Sequence, residues 1–188
     1  MITVGIDPSI NSTGICVNKD NKKYKYYIIS NEKNFTKKIL KEIQDNPPKD
    51  IIYYLYDKNV GEDYKTKERA KTNNFIQISE FIYKILKKEK PDKIVMEGIS
   101  YGSGSSSALV DLAGLNYIIR NTVYNYTKDN NKLYIIPPTE LKSKACANGG
   151  ATKEEMIYLW LKCEKKMEQY KHLKIDDLAD AYFLSQII

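Results

Sequence analysis

The chain has 188 residues, 42% of them hydrophobic, and a formal net charge of +6 carried almost wholly by lysine. That length suits one domain, residues 1–188, with its own core, and the charge favours a polyanionic partner through counterion release. Three cysteines without a CxxC pair and a single histidine, His172, argue against a zinc site or a disulfide framework, and no apolar run is long enough to span a membrane.

Residues 2–6 alternate as a strand that ends at Asp7-Pro8, where proline begins a turn. An acid this early, with no basic leader before it, argues against a signal peptide, so a cytoplasmic protein is expected. Residues 14–18 and 24–30 read as two further strands, and the tight turn between them predicts an antiparallel meander. A short amphipathic helix is predicted over 34–44, a strand or buried extended run over 51–56, and an exposed loop over 58–66. Phe75, Ile78, Ile82, Ile85 and Leu86 recur at helical spacing, which predicts a helix over 67–88 closed by Pro91. Residues 93–96 form a short apolar strand running into Glu97. Residues 102–106 read as a Gly/Ser loop, 108–126 as a helix, and 133–136 as a strand stopped by Pro137-Pro138. Thr152-Lys153-Glu154-Glu155 is a capping box opening a helix to about 166, and a last helix covers 176–188. Antiparallel strands followed by alternating helices and strands predict an α/β fold with a mixed sheet flanked by helices.

The acids carry the chemistry. Asp7 and Glu97 each end a strand, where sites in such sheets form. Asp177 and Asp180 share a face of a helix that is otherwise apolar nearly all round, and buried helices rarely hold several acids unless something pairs them. Asp176 lies four residues from Asp180 and competes for that face, though its position suits an N-cap. Each acid alone also fits a cap or a turn. Together, carboxylates from separate elements suit hard divalent cations, two of which can activate water and stabilise the leaving oxygen of a phosphodiester.

Gly5-Ile6-Asp7-Pro8-Ser9 with Thr13-Gly14, then Glu97-Gly98 followed by Ser107-Ala108-Leu109, then Asp177-Leu178-Ala179-Asp180-Ala181, occur in this order across most of the chain. The set resembles the three motifs of RuvC-type Holliday junction resolvases, and the departures resemble a phage or viral branch. The resemblance implies a ribonuclease H-like fold and a homodimer that nicks opposed strands of branched DNA, above all four-way junctions. It implies two Mg²⁺ per site, replaceable by Mn²⁺, on Asp7, Glu97, Asp177 and Asp180, and no small-molecule cofactor. Pro138 to Lys142 and Lys153 resemble the family's functional lysines, which makes Lys142 and Lys153 catalytic phosphate contacts. Ser9 replaces a glycine, and the segment between Asp7 and Glu97 is longer than in the bacterial enzymes. A family aromatic aligns with Ser100, beside Tyr101. Tyr101 and Ser103 in the Gly/Ser loop, with Lys144, complete the expected DNA contacts, and His172 is a candidate auxiliary near the metals. Two other readings stay open. One is a ribonuclease H-like nuclease for flaps or other branched DNA. The other is an actin-like nucleotide-binding domain, for which the chain is short and the closing acids go unexplained.

Overall fold

A computed structural model describes residues 1–57, 60–99 and 106–187. Six strands form one sheet in the order β4-β3-β2-β1-β5-β6: β1 (Ile2–Asp7), β2 (Ser12–Lys19), β3 (Lys23–Asn31), β4 (Ile51–Tyr56), β5 (Lys93–Glu97) and β6 (Leu133–Ile136). The first three strands are the expected antiparallel meander. Asp20 and Asn21 both take positive φ at its second turn, the conformation that lets so tight a connection follow the twist of the strands. β5 and β6 continue in parallel from β1, and β4 lies parallel to β3 at the other edge. The predicted mixed sheet is therefore the one observed.

Period-2 alternation sends side chains to two cores. Val4, Ile6, Tyr27 and Ile29 face α2 (Tyr64–Glu89) and α3 (Ser106–Thr127). Tyr26 and Ile28 face the other side, where α1 (Lys37–Asp45), α5 (Lys153–Cys163) and α6 (Asp177–Leu184) pack around Trp160. Among the described residues, no helix is long and apolar enough to cross a membrane.

Several boundaries differ from expectation, each for a local reason. Helix α2 starts at Tyr64, inside the predicted loop, because Asp63 and Thr66 form a reciprocal capping box. Pro137-Pro138 ends β6 but also starts a helix, α4 (Pro138–Cys146), since proline at the first helical position loses no hydrogen bond. Helix α5 stops at Cys163 and is followed by a 3-10 run over Lys165–Leu173, and α6 stops at Leu184.

Candidate active site

Asp7 lies opposite Gly14 on β2, and Ile6 lies opposite Met96 on β5, so Glu97 arrives level with Asp7 at the C-terminal end of the sheet. Adjacent strands stand about 4.8 Å apart, close enough for the two carboxyls to meet, and they share a side-chain hydrogen bond.

Helix α6 brings the other acids, and two glycines set its height. A β-carbon on Gly5 would lie 2.1 Å from the carbonyl oxygen of Ala181, and one on Gly14 would lie 2.1 Å from that of Asp177. Only bare backbone lets α6 rest directly on β1 and β2 with Asp177 above Gly14 and Asp180 beside the strand acids. This gives a physical reason for the glycines of the Gly-Ile-Asp and Thr-Gly motifs.

The electrostatics are those of crowded, partly dehydrated negative charge. Burial, then the charges of Glu97, Asp180 and Asp177, hold the Asp7 carboxyl well above the usual carboxylate range. Burial and the charge of Asp180 push Glu97 up to about 7, against the opposing bond from Asp7 and the positive charges of Lys142 and Lys153. Asp180 is raised by burial and by Asp177, while Lys153 and Lys142 pull the other way.

The structure thus gathers Asp7, Glu97, Asp177 and Asp180 with Lys142 and Lys153. Lys153 is the first residue of α5, and the Thr152–Glu155 capping box fixes where it starts. Its Nζ donates to Asp177 Oδ1 at 2.8 Å. Burial disfavours its charge, but the Asp177 bond outweighs this and raises its pKa. As the side chains lie, no group of three or more His, Cys, Asp or Glu among the described residues stands ready to hold a metal ion. Asp177 is turned to Lys153, and Asp7 and Glu97 are bonded to each other. The donor chemistry nevertheless fits a hard divalent cation: four carboxylates from three elements, mutually repelling, with oxygen atoms alone to offer.

Other expected residues lie elsewhere. Asp176 occupies the N-cap position of α6 with helical backbone angles and no side-chain cap bond, so its predicted capping role is not observed. The His172 ring meets Glu42 Oε1 at 2.6 Å, which ties it to α1 rather than to the acids. Lys144 is exposed and pairs with Glu140 one turn back, at 3.1 Å. Tyr101 and Ser103, with Ser100, lie outside the described residues.

Asn116 was not singled out from the sequence. It is 1% exposed on α3, and its Nδ2 donates to the Glu97 backbone carbonyl at 3.2 Å, holding the end of β5. Its Oδ1 is buried and has no hydrogen-bond partner among the described residues. The available signal was a polar residue inside an apolar helical stripe, between Leu112 and Leu115 on one side and Ile119 and Val123 on the other. A cleft of roughly 370 Å³ opens beside Asp177 and Lys153, walled by Asn11, Ser12 and Lys174.

No family model and no curated protein matches the chain. Solved structures do. Thermus thermophilus RuvC matches over 98% of this chain and 91% of its own, with 15% identity and a TM-score of 0.53. The same protein in complex with Holliday junction substrate matches over 98% and 90%, with 15% identity and a TM-score of 0.58. The yeast mitochondrial Holliday junction resolvase Ydc2 matches over 97% of this chain and 75% of its own, with 17% identity and a TM-score of 0.52. The chain therefore has the ribonuclease H-like fold of the RuvC-type Holliday junction resolvases.

Proposed function

We propose that this protein is a divalent-metal-dependent endodeoxyribonuclease that resolves four-way DNA junctions by paired nicks. The observation that carries the reading is the buried acid cluster. Asp7, Glu97 and Asp180 all have their pKa raised by burial and by at least one neighbouring acid, and among acids this crowded an added cation relieves repulsion. Asp7, Glu97, Asp177 and Asp180 would hold Mg²⁺ or Mn²⁺, two ions per site, which when bound activate water and stabilise the leaving oxygen of a phosphodiester.

The chain's own residues do the rest. Lys142 and Lys153 present positive charge to the non-bridging oxygens of the scissile phosphate. Lys153 also holds Asp177 until substrate arrives. Asn116 fixes the strand end from which Glu97 projects. Tyr101, Ser103 and Lys144 are proposed as further DNA contacts.

Two cuts on opposed strands need two copies of this one site, related by a two-fold axis. Helix α3 supports such a homodimer. Val110, Tyr117 and Tyr124 are 69%, 62% and 44% exposed at seven-residue spacing, an apolar stripe on one helix face, with exposed Ile76 on neighbouring α2. The fold of the junction resolvases favours this substrate over the nucleotide of an actin-like domain.

The test sets labelled four-way, three-way, flap, linear duplex and RNA–DNA hybrid substrates against the protein with Mg²⁺, Mn²⁺ or EDTA, alongside light scattering. Symmetric, re-ligatable nicks in the four-way junction from a dimer are expected. A monomer that nicks one strand or prefers flaps would replace this reading with a general branched-DNA nuclease. ATP binding without cleavage would favour the nucleotide-binding fold.

A further inference from the structure

The opposite end of the sheet carries a second feature that the acid cluster does not use. A cleft of roughly 360 Å³ opens beside the β2–β3 hairpin, and six of its nine lining residues are lysine: Lys19, Lys22, Lys23, Lys25, Lys49 and Lys166. Lysine and arginine together make up 30 of the 188 residues, so lysine-rich composition alone does not produce this cluster.

Three of the six are neutralised locally. Lys19 and Lys25 reach Glu89 at 3.1 and 2.8 Å, and Lys166 reaches Asp50 at 3.1 Å and Glu164 at 3.6 Å. Lys22, Lys23 and Lys49 are exposed and lie in no salt bridge with a described residue; the Asp20 carboxylate, which feels the charge of Lys22, is itself bonded to the N-terminal ammonium. Their charge is balanced by mobile counterions, which a polyanion releases on binding. The hairpin that displays Lys22 and Lys23 is tied by its own side chains. Its turn is closed by Asn18, whose amide donates to Asn21 Oδ1 at 2.7 Å and whose Oδ1 accepts from the Asn21 backbone at 2.8 Å. Lysines on such a turn lose little backbone entropy when they bind.

Helix α5 joins the two ends. It begins at Lys153, bonded to Asp177, and its 11 residues run about 16 Å toward Glu164 at the wall of the cleft. Along its outer side Tyr158 is 59% exposed with the Lys162 ammonium 4.3 Å from its ring centroid, and exposed Lys165 follows. Glu154 stands beside Lys153 and opposes the track at its start, whereas Glu155 is engaged by the Thr152 cap. The apolar stripe of α3 belongs to the opposite face of the sheet, so a dimer built on it leaves this face open.

We propose that this cleft is a second contact for the phosphodiester backbone of duplex DNA, reached by a junction arm that leaves the acid cluster along α5. The proposal rests on the nuclease reading and names where its substrate continues. Gly14, opposite Asp7 and beneath Asp177, lies five residues along β2 from Lys19 at the cleft, about 17 Å, so an arm rising about 3.4 Å per base pair must exceed roughly five pairs to arrive. Four-way junctions with hairpin-closed arms of about 4 and about 20 base pairs separate the two cases, with binding followed by anisotropy in EDTA across a salt series.

For the unaltered protein, lengthening the arms should tighten binding on the order of ten- to a hundred-fold at about 0.1 M salt. The variant Lys22→Gln, Lys23→Gln, Lys49→Gln should reduce that gain to within a few-fold of none and make the long-arm salt slope shallower by about three. A variant that keeps the full gain and slope overturns the proposal. Cleavage by the unaltered protein in Mg²⁺, run alongside, separates the two readings. Loss of the gain in a protein that cuts nothing leaves the cleft as a DNA contact and removes the nuclease assignment. Cleavage with an unchanged gain removes the cleft alone.

Discussion

Glu89 and Glu97 are both drawn away from solvent, and their surroundings push them in opposite directions. Glu89, at the end of α2, is 6% exposed. Burial alone would raise its pKa, but hydrogen bonds from Lys25, Tyr27 and Lys19 outweigh this and bring it down to about 2. Glu97, at the end of β5, is half-buried, meets another acid, and is pushed up to about 7. The fold can satisfy a buried carboxylate when stability is the outcome. At Glu97 it leaves the charge unmet, the pattern of a site that awaits a ligand.

The sharpest way to break this contrast is at Asp7. Asp7→Asn should lower junction cleavage by about a thousand-fold or more, because the cations' contribution to the transition state is several kcal/mol. The same change removes a carboxyl whose ionisation burial and the neighbouring acids oppose, so the metal-free protein should melt a few degrees higher at neutral pH. A single-turnover assay and a melting curve in EDTA read both effects. Activity near that of the unaltered protein would end the metal-site proposal.

Glu89→Gln should do the reverse. Removing one member of a buried ion pair costs about 3–5 kcal/mol, and screening of the half-exposed lysines reduces this to about 2. The melting temperature should fall by roughly 4–8 °C, with cleavage per folded molecule unchanged.

Proton linkage sharpens the comparison further. Glu89 is depressed, so its stabilisation is complete above its ordinary value of 4.5 and is lost as pH falls through about 2. Glu97 is raised, so stability in EDTA is fullest below 4.5 and declines as pH rises through about 7. Melting temperature in EDTA should therefore drop between pH 5 and 8, and Mg²⁺ should reduce that drop. A flat profile that ignores Mg²⁺ would count against the acid cluster as a cation site.

The smallest expected effect is at Asn116. Asn116→Leu removes the bond to the Glu97 carbonyl and the unsatisfied Oδ1 together, so stability should change little. Loss of positioning should lower the rate about ten-fold, the scale of about 1.4 kcal/mol, and raise the Mg²⁺ concentration for half-maximal activity. Rates equal to the unaltered protein at limiting Mg²⁺ would reduce Asn116 to packing.

Much of the site was legible because strand ends and capping boxes are local signals. Asp7 before proline, Glu97 after an apolar run, and Thr152 with Glu155 before Lys153 each announce themselves within a few residues. Helix α4, which carries Lys142, did not, because Pro137-Pro138 stops a strand and starts a helix with the same residues. His172 was expected near the acids because its partner, Glu42, is set by tertiary packing that leaves no local signal. Asp177 and Asp180 could be placed on one helix face from spacing. Their distance from Asp7 depended on Gly5 and Gly14, whose meaning appears only when the space above them is seen to be filled.

Those two glycines also govern how the protein can vary. Side-chain packing can drift by repacking, since a lost methylene in one place is made good in another. Contact between main chains has no such slack. Each of these positions lacks room for one carbon atom, and the adjoining chain is the helix that carries two of the acids. Directed evolution of this molecule should therefore accept repacking among the apolar side chains around α6 and almost no change beneath it. A library randomised at 5 and 14 would return glycine, as a gauge block returns a fixed height.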